Sequence, residues 1–165
     1  MEFQDYLEIG LKAEDLVSKI FTKAGYEVWD VGSHPLPIRY PHKGKDYKYL
    51  HVDKYVIGEG HRFWLEIKAR KLSQRYLPYI DTYDKEWLIR WHIKTGIPPF
   101  IVFALYEDIV ENSILYIISL YKARDKGIEI KGISDRTLIK TKDMVLLDDW
   151  LIKIKEYPNK WQCIV

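Results

Sequence analysis

The chain has 165 residues, 47% hydrophobic and 30% charged, with a formal net charge of +2, a balance that fits a globular protein with a core and excludes a disordered or low-complexity chain. No apolar run approaches the roughly 18 residues needed to cross a bilayer, and the acidic opening MEFQDYLEIG lacks the basic stretch of a signal peptide, so a single cytoplasmic domain is expected. Cys163 is the single cysteine, which excludes an internal disulfide and a cysteine-based zinc site.

Ala13, Leu16, Val17, Ile20, Phe21 and Ala24 recur at helical spacing before Gly25, which predicts a first helix. Residues 26–31 (YEVWDV) read as a strand, and 32–48 as a long loop of His, Pro and basic residues. Residues 50–57 and 61–68 read as a hairpin across Gly58-Glu59-Gly60. A second helix is expected over 81–95, stopped by Gly96 and blocked by Pro98-Pro99. Its Trp87 and Trp91, four apart, fit core packing. Residues 100–106 and 114–121 read as apolar strands, and 122–165 as an irregular extension of short strand-like pieces and turns. This order predicts an α/β fold in which helices flank a central mixed sheet.

Charge is unevenly spread. Residues 1–33 hold three Lys and seven Asp/Glu, residues 34–75 hold ten Lys/Arg and four Asp/Glu, and the remainder carries thirteen of each. The basic excess surrounds FWLEIKAR, residues 63–70, as an electrostatic footprint for a polyanion would. Only five residues are Asn or Gln, a composition found in thermophiles.

Within FWLEIKAR, Phe63, Leu65 and Ile67 alternate as in a half-buried strand, and Trp64, Glu66 and Lys68 share the other face. If Ile57 pairs with Arg62 across the turn, Asp53 falls opposite Glu66, with Cβ atoms about 5 Å apart. Two carboxylates that close repel unless a cation sits between them, and oxygen ligands suit Mg²⁺ or Mn²⁺. Lys68 would project beside that cation toward a phosphate oxygen or an attacking water. Glu14, at the edge of the first helix's apolar stripe, can reach toward the same place. The tripeptide recurs at Glu129-Ile130-Lys131, but without an acid in a preceding strand, and reads there as a solvated edge strand of bystanders.

Glu14, Asp53 and Glu66-Ile67-Lys68, spread over a helix and the following strands, resemble the PD-(D/E)xK nuclease superfamily, which includes restriction endonucleases, Holliday junction resolvases and phage nucleases. The resemblance covers residues 10–121 and implies a restriction-endonuclease-like core in αβββαβ order. It implies a Mg²⁺- or Mn²⁺-dependent deoxyribonuclease in which Asp53 and Glu66 ligate metal, Ile67 offers its carbonyl and Lys68 assists attack. Glu14 would support the site through water or a second ion. By the same analogy DNA is the substrate and a homodimer is compatible. Val52 stands where the name-giving proline would be, and Gln74 follows Lys68 too closely for the glutamine some members carry on the next helix.

A DNA face is expected from Arg39, Lys43, Lys45 and Lys48 on the long loop, Arg70 and Lys71 just past the motif, and Tyr83 and Lys85 opening the second helix toward a cleft. His51 and Tyr55 share Asp53's strand face; the five His residues show no metal spacing and read as satisfied or surface groups. Neither a nucleophile elbow nor a P-loop is present. The alternatives are a non-catalytic nucleic-acid-binding or assembly protein on the same fold, and a structural protein in which Glu66 and Lys68 form a surface pair.

Overall fold

The structure, a computed structural model, describes residues 3–31, 39–40, 48–49, 52–72, 77–132 and 135–156. The helix α1 (Phe3–Lys23) is followed by the strand β1 (Glu27–Asp30). Inside the stretch expected as a loop, β2 (Arg39–Tyr40) and β3 (Lys48–Tyr49) pair antiparallel. β4 (Lys54–Gly58) and β5 (His61–Lys71) form the expected hairpin. β6 (Tyr79–Asp81) runs into α2 (Thr82–Thr95), and β7 (Pro99–Tyr106) and β8 (Ile114–Ser119) follow, with α3 (Leu120–Lys126) directly after β8. The remainder is β9 (Ile128–Ile130), β10 (Arg136–Leu138), β11 (Val145–Leu146) and α4 (Leu147–Glu156).

Six strands form the main sheet in the order β1-β4-β5-β7-β8-β11. β5 and β7 are its parallel pair, and the other neighbours are antiparallel. All eight residues of β7, PFIVFALY, are buried, as a strand covered on both faces requires. β5 is equally central: Phe63 and Leu65 are fully buried on one face, and Trp64 and Glu66 are buried on the other. The alternation expected to mark a half-buried strand instead separates two buried faces.

On the first face α1 lays down Ala13, Val17 and Phe21, spaced by four, and α4 adds Trp150. The Trp150 ring meets Phe21, Phe63 and Phe100 at centroid distances of 6.2, 5.5 and 5.3 Å. On the second face Trp64 meets Trp91 of α2 at 5.8 Å, and Trp91 meets Trp87 at 5.9 Å, the packing role expected for the pair. Gly96 ends α2 at φ 69° with its N–H donating to the His92 carbonyl, a left-handed cap that glycine adopts without strain.

Two further expectations change. Residues 120–121 begin α3 rather than extend a strand, because the Ser119 hydroxyl accepts the Lys122 N–H and caps a helix there. Among the described residues, the part of the chain expected as irregular holds regular elements: β11 adds the last strand of the sheet, and α4 buries Leu147, Trp150, Leu151 and Ile154 at spacings of three, one and three. The strands β6, β10 and β9 form a separate antiparallel sheet in that order. Among the described residues no helix is long and apolar enough to cross a membrane.

Candidate active site

The site begins at a turn. Gly58 pairs with His61, leaving Glu59 and Gly60 as a two-residue loop with φ of 52° and 76°. Both residues at positive φ is the signature of a type I′ turn, whose twist matches that of the strands it joins. This turn sets the register Ile57 to Arg62 and Lys54 to Leu65. Continued by one residue, it brings Asp53 to the level of Glu66, as the sequence predicts.

Asp53 nevertheless lies just outside the ladder. Its Oδ2 accepts the Ile67 N–H at 2.6 Å, and its carbonyl accepts the Val31 N–H at 3.2 Å. The carboxylate therefore caps the edge of β5 that β4 has left, instead of standing on the face opposite Glu66. Burial raises the Asp53 carboxyl well above the usual range, Glu66 and Glu14 add to this by repulsion, and the Ile67 N–H and Lys68 oppose it.

Glu66 is 2% exposed, and its Oε1 accepts the Lys68 ammonium at 2.6 Å. Its Oε2 is buried without a hydrogen-bond partner. Burial pushes the Glu66 carboxyl up to about 7, with Asp84 and Glu14 reinforcing the shift and Lys68 opposing it. Burial alone would lower Lys68, but Glu66, Asp84 and Asp53 outweigh it and keep the amine charged. Asp84, in the first turn of α2, accepts Lys68 at 3.1 Å. The acidic residue that opens a helix is the single sequence cue to it, and sequence reasoning missed it.

Glu14 is held from the other face. Lys54 Nζ lies 3.0 Å from Glu14 Oε2 and also pairs with Asp30. Burial lowers the Lys54 pKa, but Asp30 and Glu14 more than compensate and raise it. Lys54 had a readable signal: it sits in phase with the buried Val52 and Val56, where a lysine needs counter-charges.

The expected DNA-contacting residues separate into groups. Lys71 is exposed at the end of β5. Arg70 is turned inward: Nε and Nη2 donate to the Tyr79 carbonyl at 3.2 and 3.1 Å, Nη1 donates to the Ala69 carbonyl at 2.9 Å, and its guanidinium lies 4.1 Å from the Tyr79 ring centroid. Lys85, expected to face a cleft, is 5% exposed and donates to Glu129. Tyr83 is half-buried in the same turn as Asp84. Arg39 lies in β2 and Lys48 in β3, and Lys43, Lys45, His51 and Gln74 lie outside the described residues. Tyr55 packs its ring on Trp64 at 4.7 Å. His92 Nδ1 donates to the Ile97 carbonyl at 2.8 Å, a satisfied histidine.

Among the described residues, no group of three His, Cys, Asp or Glu side chains is arranged to hold a metal ion. Two features still fit a hard cation: the partnerless Glu66 Oε2, and the burial, reinforced by neighbouring carboxylates, that raises both Asp53 and Glu66. The cation now at Glu66 is the Lys68 ammonium. A metal there would use the free oxygen or displace the amine.

No family model and no curated protein matches the chain by sequence. Among solved structures, a Holliday junction resolvase from Archaeoglobus fulgidus superposes with a TM-score of 0.51 and 12% identity, over 86% of this chain and 94% of its own. A nuclease from a fusselovirus aligns at a TM-score of 0.48 and 16% identity, over 95% of this chain and 98% of its own. The mixed sheet, the helices on both its faces and the superposition on the resolvase together give this chain a restriction-endonuclease-like fold.

Proposed function

We propose that the chain is a metal-dependent nuclease of PD-(D/E)xK type that hydrolyses phosphodiester bonds in DNA. The observation that carries this reading is the acid pair of the half-buried Asp53 and the buried Glu66 beside Lys68, with one Glu66 oxygen unpartnered. A strand with a purely structural role would place apolar residues there, since a buried carboxylate with an oxygen left unsatisfied costs stability. Asp53, Glu66 and the Ile67 carbonyl would hold a Mg²⁺ or Mn²⁺ ion, because a strand residue directs its N–H and C=O to one edge and the Ile67 N–H already faces Asp53. When bound, such an ion polarises a phosphoryl oxygen and offsets the charge developing in hydrolysis. Glu14, fastened by Lys54, would complete the acidic side, and Lys68 would place its charge against the phosphate or an attacking water.

A non-catalytic nucleic-acid-binding protein is the second reading, favoured by the closed Glu66–Lys68 ion pair. The two separate on incubation with labelled single-stranded, duplex and branched DNA in Mg²⁺, Mn²⁺ or EDTA. Cleavage that requires the metal and disappears in Asp53→Asn is the expected result. Binding without cleavage of any substrate would select the second reading.

A further inference from the structure

Lys68 is shared between two carboxylates on different elements: Glu66 Oε1 at 2.6 Å on its own strand, and Asp84 Oδ2 at 3.1 Å on α2. We propose that Asp84 is a positioning residue, which holds the Lys68 ammonium in place when Glu66 turns to another cation, and that Glu129 of the C-terminal third keeps Asp84 there. What Lys68 then does rests on the nuclease reading; the contact itself does not.

A lysine on a long flexible stem stays in one place only where acceptors fix it. If Glu66 gives its oxygens to a metal, its hold on Lys68 is shared or lost, and among the described residues Asp84 is the remaining acceptor at the ammonium. Asp84 can serve only if the first turn of α2 is itself anchored. The residue before that turn, Asp81, makes no side-chain capping bond, so local helix chemistry does not supply the anchor. The small sheet does. Glu129 Oε2 accepts Thr82 Oγ1 at 3.0 Å, and its Oε1 accepts Lys85 Nζ and, at 3.0 Å, Thr137 Oγ1. The Thr82 N–H donates to the Asp135 carbonyl at 3.0 Å. Thr82 and Lys85 flank Asp84, so one carboxylate from β9 grips the turn on both sides of it. The second E-x-K tripeptide thus serves the first through its glutamate.

The test uses the full chain with ¹⁵N-labelled lysine in EDTA. The Lys68 ammonium signal is assigned by its loss in Lys68→Arg, and its proton exchange is compared across Asp84→Asn, Asp84→Ala, Asp84→Glu and Glu129→Gln. Exchange about tenfold faster in Asp84→Asn, near wild type in Asp84→Glu and intermediate in Glu129→Gln is expected from losing one hydrogen bond to a charged group. In Mn²⁺, kcat should fall in Asp84→Asn and recover in Asp84→Glu, with DNA affinity in Ca²⁺ unchanged. Unaltered Lys68 exchange in both Asp84→Asn and Asp84→Ala overturns the proposal. A wild type that cuts no DNA overturns the nuclease reading, and the exchange measurement still decides the role of Asp84.

Discussion

Glu66-Ile67-Lys68 lies in the middle of β5, between two strands and under helices on both faces, whereas Glu129-Ile130-Lys131 lies at the outer edge of a three-stranded sheet. Ile67 is 7% exposed and Ile130 47%. In the first copy burial raises the Glu66 carboxyl and strands one of its oxygens. In the second, burial of Glu129 would raise its carboxyl, but hydrogen bonds from Lys85, Thr82 and Thr137 outweigh this and lower it. Identical side chains leave one carboxylate oxygen unsatisfied in one place and satisfy both in the other. Chemistry is expected where charge is left over, and anchoring where it is spent.

The sharpest way to break this comparison is kinetic. Lys68→Ala should lower DNA cleavage by about 10³-fold, several kcal/mol of transition-state stabilisation, while Lys131→Ala stays within about twofold. Equal losses in the two variants would erase the distinction between the copies.

Metal binding should give the next largest effect. At a hundredfold excess over its dissociation constant, Mn²⁺ should stabilise wild type by about 2.7 kcal/mol, read as a rise in Tm, and leave Asp53→Asn/Glu66→Gln unmoved. A similar rise in Glu129→Gln would show that the second copy is no metal site.

Stability separates the two charged residues of the second copy. Glu129→Ala leaves the buried Lys85 ammonium without its acceptor and should cost about 1–3 kcal/mol in chemical denaturation, whereas Lys131→Ala should be neutral within about 0.5 kcal/mol. If both are neutral, Glu129 does not anchor α2.

A pH series in EDTA sharpens the contrast further. The folded Glu66 carboxyl titrates near 7 against an ordinary 4.5, so the folded state binds the proton more tightly than the unfolded chain. Its contribution to stability is full below about pH 4.5 and is lost as pH rises through about 7. Relative to Glu66→Gln, wild type should lose Tm across that window, and a constant difference would remove the raised carboxyl.

The smallest effect concerns DNA affinity. Lys71→Gln should lower the slope of log affinity against log salt by about 0.9, the share of one phosphate contact on duplex DNA. Arg70→Gln should leave the slope intact and reduce Tm instead, since the guanidinium is spent on the Tyr79 and Ala69 carbonyls. A slope change from Arg70 alone would move the DNA to the other side of Tyr79.

What could be read in advance follows from how local each cause is. The hairpin, its register and the ends of α2 depend on residues close in sequence, so Glu59-Gly60 and Gly96 announce them. The α4 stripe of Leu147, Trp150, Leu151 and Ile154 is equally periodic, but the short strands before it obscure the change of period. Asp84, Lys54 and Glu129 act through partners 16, 24 and 44 positions away, and no spacing rule reports such pairs.

The amino-acid sequence by itself determined the alternation of elements, the level at which Asp53 meets Glu66, and the presence of Glu66 and Lys68 on one face of β5. Each of these needs only backbone periodicity and the geometry of one turn. Tertiary structure decided that β5 is buried on both faces, that Asp53 turns its carboxylate onto the Ile67 N–H, that Arg70 and Lys85 face inward, and that Glu129 braces α2. The energy of a charged side chain depends on the dielectric and the partners around it, and packing supplies both.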